Sequence, residues 1–223
     1  MSNQKKNITK EVSVFFDGYA HDFSSIYKED TKKRSSFDKL MDKWFRQGIQ
    51  ERFDHTLKRT NNEAINSILD IGCGPGHFVV KFLEQNKKVA ALDIAPSMLD
   101  ITKQRVEALK KDHEVEFILD DYLNYKPKKK FDAACVMGFF DYVEDPVKVL
   151  LKLLDDTNKE IYISIPDNKG LLALQRRIRY KLRKCPLFLY SRAYLEDCLK
   201  QANCYEKSEI IDIDRGYFVI IRK

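Results

Sequence analysis

The stretch Ile68-Leu69-Asp70-Ile71-Gly72-Cys73-Gly74-Pro75-Gly76-His77-Phe78 constrains the fold more than any other part of the chain. An apolar run stops at three closely spaced glycines, and a helical pattern starts at His77. Glycines permit positive φ and let a ligand come close to the main chain. A helix beginning there offers free N–H groups and the positive end of its dipole. The same alternation continues downstream. Val89–Ile94, Val115–Leu119, Phe131–Met137 and Glu160–Ile165 read as strands, and Pro96 to about Lys111 and Pro146–Leu154 as helices. Ser191 caps a helix through Leu199, and Glu209–Ile213 with Gly216–Ile221 reads as a hairpin. This order predicts an α/β fold: a Rossmann-like, mainly parallel sheet covered on both faces. Its ligand site lies beyond the carboxyl ends of the strands.

At 223 residues and 43% apolar, the chain can bury a full core without disulfides or a structural metal. It contains no apolar run long enough to cross a membrane, and its first residues lack a signal-peptide core. Its five cysteines form no CxxC pair, so they read as reduced thiols in a cytoplasmic protein with no metal site. Residues 1–60 read as a helical cap or lid. In it Phe37, Leu40, Met41, Trp44 and Phe45 share one helical face. Residues 61–223 read as the α/β domain, with a basic helical insertion at about 167–190.

The glycines are spaced GxGxG. A dinucleotide fingerprint would place its last glycine at His77, so a nicotinamide cofactor fits poorly. Three acidic or strand-end features follow in order. Asp93 ends the second strand, where a carboxylate can accept two hydrogen bonds from a ribose diol. Asp121-Tyr122 follows the third strand, where an acid can take an adenine amino group and a ring can pack on the base. Phe131 to Gly138 ends the fourth strand opposite the first.

These stretches, ILDIGCGPGHF, ALDIAPSML, FILDDYL and FDAACVMGFFDYVEDP, resemble the class I S-adenosylmethionine-dependent methyltransferases. The resemblance spans residues 68 to about 154, and the final hairpin extends it. It implies a seven-stranded sheet with an antiparallel last strand and S-adenosylmethionine as cofactor. By that resemblance Gly72, Gly74 and Gly76 approach the methionine part, and Asp70 supports its ammonium. Asp93 holds the ribose, Ile94 and Met98 flank the adenine, Asp121 and Tyr122 read its edge and face, and Met137 contributes backbone. Asp120 stands where the family often has a small residue, so either carboxylate can be the one that meets adenine. The fourth strand ends in Met-Gly-Phe-Phe, unlike many methylators of DNA bases. The run from Phe16 to Tyr27 is similar to the N-terminal segment of small-molecule methyltransferases, where Tyr19 and Tyr27 would line the cofactor or substrate mouth. With Leu189 to Tyr194 it is also similar to magnesium-protoporphyrin O-methyltransferases. Methyltransferases of natural products and surface sugars share these features.

Methyl transfer is an in-line displacement that mainly needs alignment and exclusion of water. A base helps where the acceptor must lose a proton. His21 is the candidate base, and Asp141 and Tyr142 are candidates for acceptor contact. His77 reads as a packing or cofactor-edge residue, and His55 and His113 as solvated. From Lys169 to Lys184 there are seven basic residues and no acidic one. Leu171, Leu174, Ile178 and Leu182 recur at helical spacing there, either as a packed stripe beneath a solvated basic face or as part of a binding surface. Arg176, Arg177 and Arg179 are candidates to hold an anionic acceptor group, and anionic lipid is a further possible partner. The expected activity is methyl transfer to an oxygen or nitrogen of a small-molecule or lipid- or sugar-linked acceptor. An RNA methyltransferase and a non-catalytic cofactor-binding protein are the alternatives. Seven charges make a small footprint for nucleic acid.

Overall fold

The computed structural model describes residues 11–18, 50–183, 185–214 and 216–223. Two helical segments, α1 (residues 11–18) and α2 (residues 50–60), precede the sheet. Then come β1 (Ser67–Ile71), α3 (His77–Glu84), β2 (Lys88–Asp93), α4 (Pro96–Ala108) and β3 (Val115–Leu119). Next are β4 (Phe131–Val136), α5 (Pro146–Asp156), β5 (Thr157–Pro166) and α6 (Gly170–Leu182). The chain ends with α7 (Arg192–Gln201), β6 (Ser208–Ile213) and β7 (Gly216–Arg222). The predicted helical face from Phe37 to Phe45, and the residues Tyr19, His21 and Tyr27, lie outside the described residues.

The seven strands run in the order β3-β2-β1-β4-β5-β7-β6. β1 pairs in parallel with β2 and with β4, whereas β7 is antiparallel to both β5 and β6. This is the expected α/β sheet with its antiparallel last strand. Strand periodicity explains how it buries two faces. Tyr217, Val219 and Ile221 of β7 join the core beneath α5 and α7, with Val149, Leu153, Leu195 and Leu199. Phe218 and Ile220 point the other way, into the core shared with Val79, Phe82 and Leu83 of α3 and Val106 of α4. Each such side chain contributes roughly 1.5–3 kcal/mol on burial.

Local signals set the helix starts. Pro96 sits in the first turn of α4, and Asp145 and Ser191 accept the N–H groups of Lys148 and Tyr194 to cap α5 and α7. The strand order reverses beside β1, since β2 follows on one side and β4 on the other. That places a crevice at the carboxyl ends of β1, β2 and β4. No helix among the described residues is long and apolar enough to cross a membrane.

Candidate functional site

The glycine loop is braced from three sides. Gly72 and Cys73 donate N–H to the Leu92 carbonyl at 2.8 and 3.0 Å. Gly74 donates to Asp93 Oδ2 at 2.8 Å, and its carbonyl accepts from Thr102 Oγ1 at 2.8 Å. Gly72, Gly74 and Gly76 all take positive φ. Their surroundings differ. A methyl group on Gly74 would meet nothing within 4 Å, whereas one on Gly76 would lie 2.6 Å from Thr102 Cγ2. Gly74 therefore faces open space in the crevice, while Gly76 first serves the contact between α3 and α4. We expect Gly74→Ala to fold with about 1 kcal/mol of strain from its left-handed backbone yet to lose cofactor affinity. Gly76→Ala should lose more stability, because Thr102 must move as well. Urea unfolding of both variants, beside S-adenosylhomocysteine titrations, checks the contrast.

Asp70 is the other marked feature of this end of β1. Only 2% of it is exposed, and its Oδ2 has no hydrogen-bond partner. Burial pushes its pKa up to about 7, opposed by a hydrogen bond with the Cys135 thiol and assisted by the charge of Asp93. A buried, incompletely satisfied carboxylate is costly to retain. Asp93 is buried too, but each of its oxygens accepts a backbone N–H, from Gly74 at 2.8 Å and Ala95 at 2.9 Å. Burial raises its pKa despite these bonds. Each oxygen keeps a lone pair for a further donor. A cationic group near Asp70, a diol near Asp93 and a ligand edge over Gly74 suit the three parts of S-adenosylmethionine.

Further along the crevice the predicted residues divide. Ile94 is half-buried, and its carbonyl accepts from Ser13 Oγ at 3.2 Å. Met98 is buried beside Ala95, with Phe16 of α1 packed on them. Asp121 accepts the Leu123 N–H at 2.9 Å in a local turn, and Met137 is half-buried against the core. Tyr122 does not fit the adenine-face role. It is 1% exposed, its hydroxyl donates to Asp156 at 2.9 Å, and Lys152 lies 4.8 Å from its ring centroid. The ring is a core element and has no face left for a base. His77 is half-buried beside Arg105, with a ring nitrogen 3.0 Å from Nη1. Burial and then Arg105 lower its pKa to about 4, so it is neutral near pH 7. His55 is half-buried, and its ring stacks on Phe218 at 5.4 Å.

A second polar cluster forms past the end of β4. The buried Asp141 pairs with Arg176 of α6. Burial raises the pKa of Asp141, opposed by the charges of Arg176 and Arg52. The Tyr142 and Tyr180 hydroxyls are 3.0 Å apart. Burial, Tyr180 and Asp141 push the Tyr142 phenol well above its ordinary range, so it stays protonated and cannot serve as a base. α1 reaches both clusters. Its Asp17 accepts from Ser97 Oγ at 2.7 Å, its Phe16 meets Tyr142 edge-on at 5.3 Å, and its Phe15 lies 6.1 Å from Tyr180. Arg177 is exposed and does not join Arg176, and the Arg179 side chain lies outside the described residues. The sequence reading missed Arg52 and Tyr180. Tyr180 lies one helical turn from Arg176, which is the only local signal it carries. Among the described residues no group of three His, Cys, Asp or Glu could hold a metal, and all five cysteines are free and buried.

A family profile described as a methyltransferase domain matches residues 68–156, the span from β1 through α5. Residues 68–156 are therefore similar to a methyltransferase domain. Malonyl-[acyl-carrier protein] O-methyltransferase 1 of Ilyobacter polytropus is 33% identical over 133 residues, 57% of this chain and 46% of that protein. The ubiquinone biosynthesis O-methyltransferase of Xylella fastidiosa is 28% identical over 44% of this chain and 40% of its own length. The matches span about half the length, or less, of these curated relatives. Among solved structures, magnesium protoporphyrin IX methyltransferase from Synechocystis, with S-adenosylhomocysteine bound, superposes with a TM-score of 0.72. It is 16% identical, and the superposition covers 95% of this chain and 96% of that one, so the two share a fold.

Proposed function

We propose that this chain transfers a methyl group from S-adenosylmethionine to an oxygen or nitrogen of a small-molecule or lipid- or sugar-linked acceptor. One observation carries the reading. Two distinct polar clusters meet at the crevice: Asp70, Gly74 and Asp93 on the β1–β2 side, and Asp141, Tyr142 and Arg176 past β4. The first is suited to the cofactor and the second to an acceptor. The relatives act on a malonyl group carried by a protein, and in ubiquinone biosynthesis, by their names.

The bound cofactor would supply a methyl group already activated by its sulfonium. The protein would then have to position, enclose and, where needed, deprotonate the acceptor. In this reading Asp93 holds the ribose diol, Asp70 the ammonium and Ile94 the adenine side, with Asp121 at its edge. Arg176 orients Asp141, and the protonated Tyr142 donates a hydrogen bond. Residues 1–60 act as the lid over residues 61–223, with α1 as the part that touches both clusters. His21, in that lid, is the proposed base.

Thermal unfolding with S-adenosylhomocysteine, and separately with NAD, tests the assignment. Ligand at 100 times its Kd should add about 2.7 kcal/mol of stability. The expected result is an upward shift with S-adenosylhomocysteine alone. A shift with NAD alone would refute the reading.

A further inference from the structure

α6 turns its apolar stripe outward. Leu174 and Ile178 are each 54% exposed and Leu182 is 79% exposed, although their spacing also suits a packed helix face. The face that packs is instead Ala173, Arg176 and Tyr180: the first is buried, the second pairs with Asp141, and the third meets Tyr142. On an α-helix, positions 174, 178 and 182 form one row about 12 Å long, from the 1.5 Å rise per residue. Arg177 and Lys181 flank that row on one side, and Arg183 follows the last residue of the helix; all three are exposed. Lys169, just before the helix, is exposed as well.

We propose that the outward face of α6 docks on an anionic lipid surface. An exposed aliphatic row with cations along its edges is the arrangement that inserts shallowly among acyl chains while its charges meet lipid phosphates. A second copy of this face is a poor occupant, because the segment from Lys169 to Lys184 holds seven cations and no acid to answer them. The inner face of the same helix carries Arg176 and Tyr180. A docked α6 would therefore set the Asp141–Tyr142 cluster close to the bilayer surface. Lipid docking does not rest on the methyltransferase reading, and it is measured without turnover.

The test is co-sedimentation of the full chain with vesicles of phosphatidylcholine alone and of phosphatidylcholine containing phosphatidylglycerol, at low and high salt. We expect binding to the anionic vesicles only, weakened by salt. Combining Leu174→Ser, Ile178→Ser and Leu182→Ser should reduce that binding by at least about tenfold. The three side chains are exposed, so the melting temperature should hold. Combining Lys181→Gln with Arg183→Gln should reduce binding by up to roughly thirtyfold, since each cation near an anionic surface contributes about fivefold. Failure of the parent chain to bind anionic vesicles at low salt would overturn the proposal. So would full binding by the folded triple serine variant. Binding of an acidic acyl carrier protein in place of vesicles would assign the face to a protein partner and also overturn it.

Discussion

Asp93→Ala is expected to lower the affinity for S-adenosylhomocysteine by at least about tenfold, and by roughly a hundredfold where both diol bonds are lost. The effect has two sources. On the proposed ribose role charge-assisted bonds to the diol would disappear, and so would the brace that Asp93 Oδ2 gives to the Gly74 N–H. The substitution also removes the acceptor of the Ala95 N–H at the start of α4, so stability should fall by about 1–3 kcal/mol. Asp93→Asn separates the two sources. Its amide oxygen can still accept one backbone N–H, which should return part of the stability. It cannot accept from two hydroxyls as a carboxylate does, so the binding defect should remain. Isothermal titration of both folded variants reads the difference. Parent-like affinity in Asp93→Asn would reduce Asp93 to a loop brace.

Much of this arrangement is legible locally. Apolar runs ending at Gly72 and Asp93 define β1 and β2 because burial on both faces leaves a continuous signature, whereas β3 at the sheet edge leaves Glu116 and Leu119 exposed and is marked by its turn residues. Asp93 is readable because strand and helix place it at a fixed point of the crevice. What sequence could not reveal depends on partners far along the chain. Tyr122 follows an acid in a turn, and nothing local says whether its ring faces the crevice or the core. Its hydroxyl partner, Asp156, lies 34 residues away. Arg176 and Asp141 are 35 residues apart, so three neighbouring arginines looked alike until one was found facing inward. The stripe at Leu174, Ile178 and Leu182 shows the same limit in another form. Helical spacing fixes that these residues share a face, but not which way the face points. Only the seating of Ala173, Arg176 and Tyr180 decides it.

α1 illustrates how packing joins these parts into one device. Its Ser13 and Asp17 hold the end of β2 and the start of α4, whereas its Phe15 and Phe16 reach Tyr180 and Tyr142. A short helix of this kind has little stability of its own. Its position is set by contacts with both halves of the crevice.

Asp70→Asn should make the protein more stable and the site worse. The carboxyl of Asp70 titrates near pH 7 when folded and near 3.8 when exposed. A raised folded pKa means that the folded state binds more protons between these values, so stability falls as pH rises through that window. Asp93 acts in the same direction. His77, lowered to about 4, acts in the opposite one, adding stability as pH rises from about 4 to 6.5. Replacing Asp70 removes only the first contribution. The gain should therefore reach roughly 2–4 kcal/mol at about pH 8 and be smaller by about 2 kcal/mol at about pH 5. Urea unfolding at the two pH values measures it. Affinity for S-adenosylhomocysteine should drop in the same variant, because the carboxylate is costly to bury alone and becomes favourable beside a cation. Equal stability gains at both pH values would mean that the improvement comes from packing and not from removal of a buried charge. A gain at high pH with unchanged ligand affinity would separate Asp70 from the cofactor. The two measurements together therefore decide whether the unpartnered oxygen of Asp70 is held for a ligand.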